Sequence, residues 1–306
     1  MPSAWDTLIN IPDGAFHHIE HNFRHPRSIY LSSLNNILTS YEKTLDALQS
    51  LRLDYIYAQN SSKNNQLIHE YKTLLHSANE HFDACFQIIK STLPSSAAKS
   101  QQNEAFLDQA KPDGWKEFKN SIEEYRSKRI GKIVNMLKHR QAEINFFYFH
   151  APGDFRPGYY IVDIHDHKTI GPAPSVHAGG NTAFSCYRDL LLHFWWLHRI
   201  GDLLSKYLSK FIPSTQPATF TPLLETSERW GKVIKNLSNL TPAPFPDEIR
   251  LPIPRLNCHQ DMKKFTMQFP GRMIFHFPNK VIASSQIRVE ADHPTNKLPY
   301  FGRDKK

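Results

Sequence analysis

Only 3 of the 306 residues are cysteine and only 12 are glycine. The cysteines, Cys85, Cys186 and Cys258, are odd in number and far apart, and no CxxC pair occurs. A disulfide framework and a thiolate zinc site are therefore not expected, and the chain suits a reducing cytoplasm. Glycine loops that cradle phosphate are missing as well. Neither GxGxxG nor GxxxxGK followed by Ser or Thr is present, Gly179-Gly180 is a lone pair, and there is no GxSxG elbow. These absences argue against a P-loop hydrolase, a dinucleotide-binding enzyme and an α/β-hydrolase. No apolar run reaches the length of a membrane span, and the mean hydropathy is −0.51. Met1 to Asn10 lacks a charged segment followed by an apolar one, so no signal peptide is expected.

The residues that are present describe a globular chain. Hydrophobic residues make up 40% and aromatics 12%, too much for a disordered polymer. The 37 Lys and Arg against 29 Asp and Glu leave a net charge of +8, which favours an anionic partner.

Apolar residues recur at spacings of three and four along most of the chain, the mark of amphipathic helices. Residues 1–26 show no sustained period and read as an irregular arm. From Ser28, the stripe Ile29, Leu34, Ile37, Leu38, Tyr41, Leu45 and Leu48 predicts one long helix or two. A second stripe, from Leu67 through Tyr71, Leu74, Ala78, Phe82 and Phe86 to Ile89, ends near Ser91. The polar stretch 93–114 reads as a loop with a helical turn at 104–110. A third stripe then runs from Trp115 through Phe118, Ile122, Tyr125 and Ile133 to Leu137 and Ile144. Residues 146–180 are rich in proline and glycine and predict a β hairpin. Leu190, Phe194, Leu197, Ile200, Leu204 and Leu208 form a fourth helical stripe, stopped by Pro213. Beyond it lie one helix at about 225–240 and short β-like runs at 249–256, 265–269, 273–277 and 281–289. The fold class expected is mainly α: a helical bundle over 1–212 with an N-terminal arm and a β-hairpin insertion at about 146–180, followed by a smaller α+β C-terminal region over 213–306.

The fourth helix opens with Arg188-Asp189-Leu190-Leu191-Leu192-His193. This run resembles the signature of the HEPN superfamily (higher eukaryotes and prokaryotes nucleotide-binding), in which an Arg is followed by a polar residue, three further residues and a His. The resemblance implies an all-helical domain acting as a metal-independent endoribonuclease that leaves 2′,3′-cyclic phosphate ends, with no cofactor, RNA as substrate, a homodimer as the active form and a role as a toxin or in phage defence. Arg188, Asp189 and His193 would be the catalytic residues. The chemistry is consistent with the residue types. Histidine titrates near neutrality and can move the proton of a 2′-hydroxyl, arginine keeps its charge and grips phosphate in a fork, and Asp189 at i, i+4 can orient the imidazole. Arg188 and His193 are about 140° apart around the helix, so one helix does not aim both at one phosphate unaided. The same residues support a second reading. His193 falls on the apolar stripe, where a histidine is a core residue, and the chain is then a catalytically silent helical module that binds nucleic acid or a protein partner.

On the third helix, Lys128, Lys132, Asn135 and His139 follow at i, i+4, i+7 and i+11 and are candidates for a nucleic-acid-binding face; the alternative is a solvated charged face. Asp163, His165 and His167 alternate along an expected strand with His177 nearby, a set of metal-ligand type that fits no established metal motif, so no metal is assigned. The aromatic run Phe146 to Phe149, with Phe155, Tyr159, Tyr160 and Arg156, has the composition of a base-stacking surface, but an aromatic run after a helix is usually core, and packing of the insertion onto the bundle is the expected reading.

Overall fold

The computed structural model describes residues 2–57, 64–139, 142–151, 154–165, 169–212, 224–258, 265–271, 282–285 and 295–300. The helices are α1 (Ala4–Asn10), α2 (Pro26–Tyr57), α3 (Asn64–Lys90), α4 (Asn103–Ala110), α5 (Trp115–Tyr125), α6 (Gly131–His139), α7 (Cys186–Leu208) and α8 (Leu224–Ser238). The strands are β1 (Glu143–Ala151), β2 (Asp154–His165), β3 (Thr169–Pro172), β4 (Phe184–Ser185), β5 (Ile253–Cys258), β6 (Phe265–Gly271), β7 (Ile282–Ser285) and β8 (Thr295–Asn296). The architecture is mainly α with a β hairpin and a C-terminal α+β region. No helix among the described residues is long and apolar enough to cross a membrane.

The four apolar stripes all become helices. Pro26 opens α2, where its fixed φ suits the first turn and its missing N–H leaves no bond unmade. Two segments depart from expectation. Residues 4–10 of the arm form α1, which buries Ala4, Trp5 and Leu8. The third stripe is broken by a π turn at Arg126–Ile130 and ends at His139, so Ile144 lies on strand β1 instead of the helix. Of the β-like runs, 273–277, 281 and 286–289 lie outside the described residues.

The chain divides into two compact units, each assembled from three stretches. The first comprises residues 1–42, 73–131 and 196–233 and is helical. Its core includes Leu34, Ile37, Leu38, Leu74, Leu75, Phe82, Phe86 and Leu204, all buried. Aromatic contacts add geometry to that apolar burial. Tyr125 stacks on Trp196 at 4.8 Å between ring centroids, and Phe86 meets Trp115 edge-on at 5.3 Å. Polar bonds tie its helices: Ser33 Oγ to His81 Nδ1 at 2.8 Å, Ser40 to Ser77 at 3.0 Å, and Arg229 Nη2 to Glu42 Oε2 at 2.8 Å.

The second unit comprises 43–72, 132–195 and 234–306 and contains the sheets. In the larger sheet the strand order is β7-β1-β2-β3-β8, with β4 also paired to β2; all of these pairs are antiparallel except β3 with β8. The β1–β2 hairpin of the insertion is thereby joined to strands from the C-terminal region. A second pair, β5 with β6, is antiparallel. Phe146, Phe147, Tyr148 and Phe149 are all buried, so the sheet is covered on both faces. Alternation along β1 separates the coverings. Phe146 faces Tyr71 of α3 at 5.9 Å, whereas Phe147 and Phe149 meet Phe245 at 5.9 and 5.1 Å. Gly158, the register partner of Phe147, allows that second contact: a Cβ there would lie 2.2 Å from the Phe245 ring. The aromatic run is therefore core, and Arg156 is buried beside it, donating from Nη1 to the Pro244 carbonyl at 3.1 Å.

Candidate functional site

The start of α7 is built by local capping. Ser185 Oγ accepts the Arg188 backbone N–H at 3.3 Å, the bond an N-cap serine makes to the third helical residue. The Ser185 N–H is itself held by Glu248 Oε1 at 3.2 Å, and Glu248 Oε2 accepts the Phe245 N–H at 3.0 Å. Glu248 is 2% exposed, and burial pushes its carboxyl up to about 7 against the pull of these hydrogen bonds and of the Arg188 charge. No motif in the sequence marks Glu248, because its partners lie 63 residues away at Ser185 and in its own turn at Phe245.

Arg188 is 8% exposed and its Nε donates to the Pro252 carbonyl at 3.2 Å. One residue on, Asp189 is held by side chains of α3, β2 and α7 itself. Its Oδ2 accepts three hydrogen bonds: from Tyr159 Oη on β2 at 2.7 Å, from His193 Nε2 one turn along α7 at 2.8 Å, and from Tyr71 Oη on α3 at 3.0 Å. Asp189 is fully buried and His193 is 1% exposed. Burial, followed by the charge of Asp189, holds the Tyr71 phenol well above its usual range, so Tyr71 remains a donor. Burial and the same carboxylate likewise push the neighbouring Cys186 thiol up, which keeps it inert.

The structure thus brings Asp189 and His193 together. The Arg188 Nε is engaged by the Pro252 carbonyl instead. A carboxylate given three donors at one oxygen is the expected solution for a charge taken out of water. Because Nε2 of His193 donates to Asp189, that nitrogen's lone pair is not presented to a substrate proton. Tyr71 and Tyr159 complete the cluster, and sequence reasoning did not find them. They are 118 and 30 residues from Asp189, and their only local signal was membership of an apolar stripe and an aromatic run.

The basic set has a different setting. Within α6, Ile133, Val134, Met136 and Leu137 are buried, while Asn135, Lys138 and His139 are exposed and Lys132 is half-buried. Lys128 is exposed and sits in the π turn ahead of α6. That turn interrupts the 3.6-residue repeat on which the spacing from Lys128 to Lys132 was counted. Lys132, Asn135 and His139 keep the spacing of one α6 face, and Lys138 and His139 also complement the negative end of the helix dipole.

Among the described residues, no group of three or more His, Cys, Asp or Glu side chains is gathered as a metal site would require. Asp163 Oδ1 accepts the Ile164 N–H at 2.8 Å, and the buried His177 accepts the Ile161 N–H at Nε2, 2.9 Å away. The His165 side chain and His167 lie outside the described residues. No protein family, curated protein or solved structure matches this chain.

Proposed function

We propose that the chain is a catalytically silent helical module that binds a polyanion, single-stranded RNA being the partner of choice, through the exposed face of α6. The observation that carries the silent part is the placement of His193 and Asp189. A phosphodiester at His193 requires the imidazole to reach solvent, and its 1% exposure, with Nε2 on a carboxylate oxygen that also holds two tyrosine hydroxyls, supports a core role instead. What supports the binding part is the combination of a net charge of +8 with Lys132, Asn135, Lys138 and His139 on a helix whose other side is buried.

Contact with phosphates would be electrostatic and tolerant of sequence. The test is the fluorescence anisotropy of a labelled single-stranded RNA titrated with the full chain at several salt concentrations. With about three phosphates neutralised, log K should fall against log salt with a slope of about −2. Lys132→Glu should weaken binding and flatten that slope, whereas binding indifferent to both salt and Lys132→Glu would refute the assignment. Cleavage of the RNA in EDTA that is lost on His193→Ala would instead establish the endoribonuclease, with Arg188 and Asp189 as its companions and a homodimer as its expected form.

A further inference from the structure

A cavity of about 290 Å³ lies within the second unit, and its lining includes no residue of the Asp189 cluster or of α6. Its apolar walls are supplied by Leu45 and Leu48 of α2, Phe155 and Pro157 of β2, and Tyr187 of α7. Leu45, Leu48 and Tyr187 are nearly buried, and Phe155 is ordered by stacking on Tyr148 at 5.6 Å. Asn236, Asn239 and Thr241 add hydrogen-bonding groups along one side.

The charge of the lining is one-sided. Arg52 contributes the only full charge among the described lining residues, and no carboxylate faces it there. Thr241 Oγ1 accepts from Arg52 Nη1 at 2.9 Å, which fixes the guanidinium while engaging one of its five N–H groups. An apolar concavity with a few convergent polar groups and one anchored cation is the usual form of a small-molecule site. Its volume is about twice the roughly 150 Å³ that accommodates a benzene ring, a size that suits two fused rings. A dication is excluded by Arg52, and a polyanion finds one counter-charge only.

We propose that this cavity binds a bicyclic aromatic monocarboxylate, its rings between Leu45, Leu48, Phe155 and Tyr187 and its carboxylate on the Arg52 guanidinium. A planar guanidinium matches a carboxylate in a two-point fork, and Asn236 and Asn239 can meet a ring heteroatom or the second carboxylate edge.

The experiment is isothermal titration of the full chain with 2-naphthoate and with its neutral counterpart 2-naphthamide. The wild type should bind 2-naphthoate saturably at one site and discriminate against the amide by roughly tenfold, the scale of one charge-assisted pair. Arg52→Gln should erase that preference, and Arg52→Lys should keep part of it. Arg52 is exposed, so both variants should retain the wild-type circular dichroism spectrum. Lys138→Gln on α6 should leave the naphthoate titration unchanged, which separates this site from the proposed RNA face. Absence of saturable binding, equal affinity for acid and amide, or a preference that survives Arg52→Gln would each overturn the proposal.

Discussion

Removing the Asp189 carboxylate should be among the most destabilising single changes available to this protein. Three donors converge on one oxygen at 2.7 to 3.0 Å, and all of the groups involved are buried. Asp189→Ala strands Tyr159, His193 and Tyr71 without that acceptor, and a stranded buried donor costs about 1–3 kcal/mol. The three costs do not add, because the donors share one acceptor and can relax together, and the variant also escapes the expense of burying a charge. A net loss of about 4 kcal/mol is expected, in line with the roughly 3–5 kcal/mol seen when one member of a buried charged network is removed. Tyr159→Phe and Tyr71→Phe each remove one donor from an acceptor that keeps two others, and should cost about 1–2 kcal/mol. Urea unfolding followed by far-ultraviolet and near-ultraviolet circular dichroism reads both quantities, and coincidence of the two probes checks that the two compact units unfold together. In the Asp189→Ala, Tyr159→Phe double variant the losses should fall short of additivity by about 1 kcal/mol, since the bond between the two side chains is already lost once Asp189 is gone. A loss below about 1 kcal/mol for Asp189→Ala, or strict additivity with Tyr159→Phe, would show that this cluster is not a structural network.

Three further outcomes follow from the same physics. Burial raises the Glu248 carboxyl from its ordinary 4.5 to about 7, so the folded state holds the extra proton between those pH values. Its contribution is therefore present at low pH and lost as pH rises through 7; Glu248→Gln should remove a fall of up to about 3 kcal/mol between pH 4.5 and 7.5 in urea midpoints measured across that range. His81 and His198 act in the other direction: burial lowers them to about 4 and about 3, so the unfolded chain takes up protons first as pH drops below 6.5. Acid unfolding between pH 6.5 and 4 should be blunted in His198→Phe, seen as a smaller drop in thermal midpoint over that window, whereas an unchanged acid limb would contradict the burial of that imidazole. On α6, Lys138→Glu should weaken RNA binding and also lower stability by a few tenths of a kcal/mol, because it places a negative charge at the negative end of the helix.

Much of the helical framework was legible because it is written in local periodicity. The stripe from Leu67 to Ile89 becomes α3, and the stripe opening at Leu190 becomes α7. The π turn at Arg126–Ile130 had no such signal, because a single widened turn leaves the hydrophobic pattern on either side intact. Pairing of β7 with β1 and of β8 with β3 was equally invisible, since nothing in a strand of 2–4 residues specifies a partner more than a hundred residues away. The site divides along the same line. The i, i+4 spacing of Asp189 and His193 could be read from the chain, and their bond spans one helical turn. Their burial, and the two tyrosines that complete the cluster, depend on how α3 and β2 meet α7. The Arg52 cavity draws on α2, β2, α7, the end of α8 and the segment after it, so no stretch of sequence contains it.

A structural role for His193 is tested by incubating end-labelled RNA in EDTA with the wild-type chain and with His193→Ala and identifying any product ends. Intact RNA is expected in both samples, together with a wild-type chain that nonetheless binds it. Cyclic-phosphate fragments from the wild type that disappear with His193→Ala would contradict that role, and would show that the buried imidazole reaches a phosphodiester.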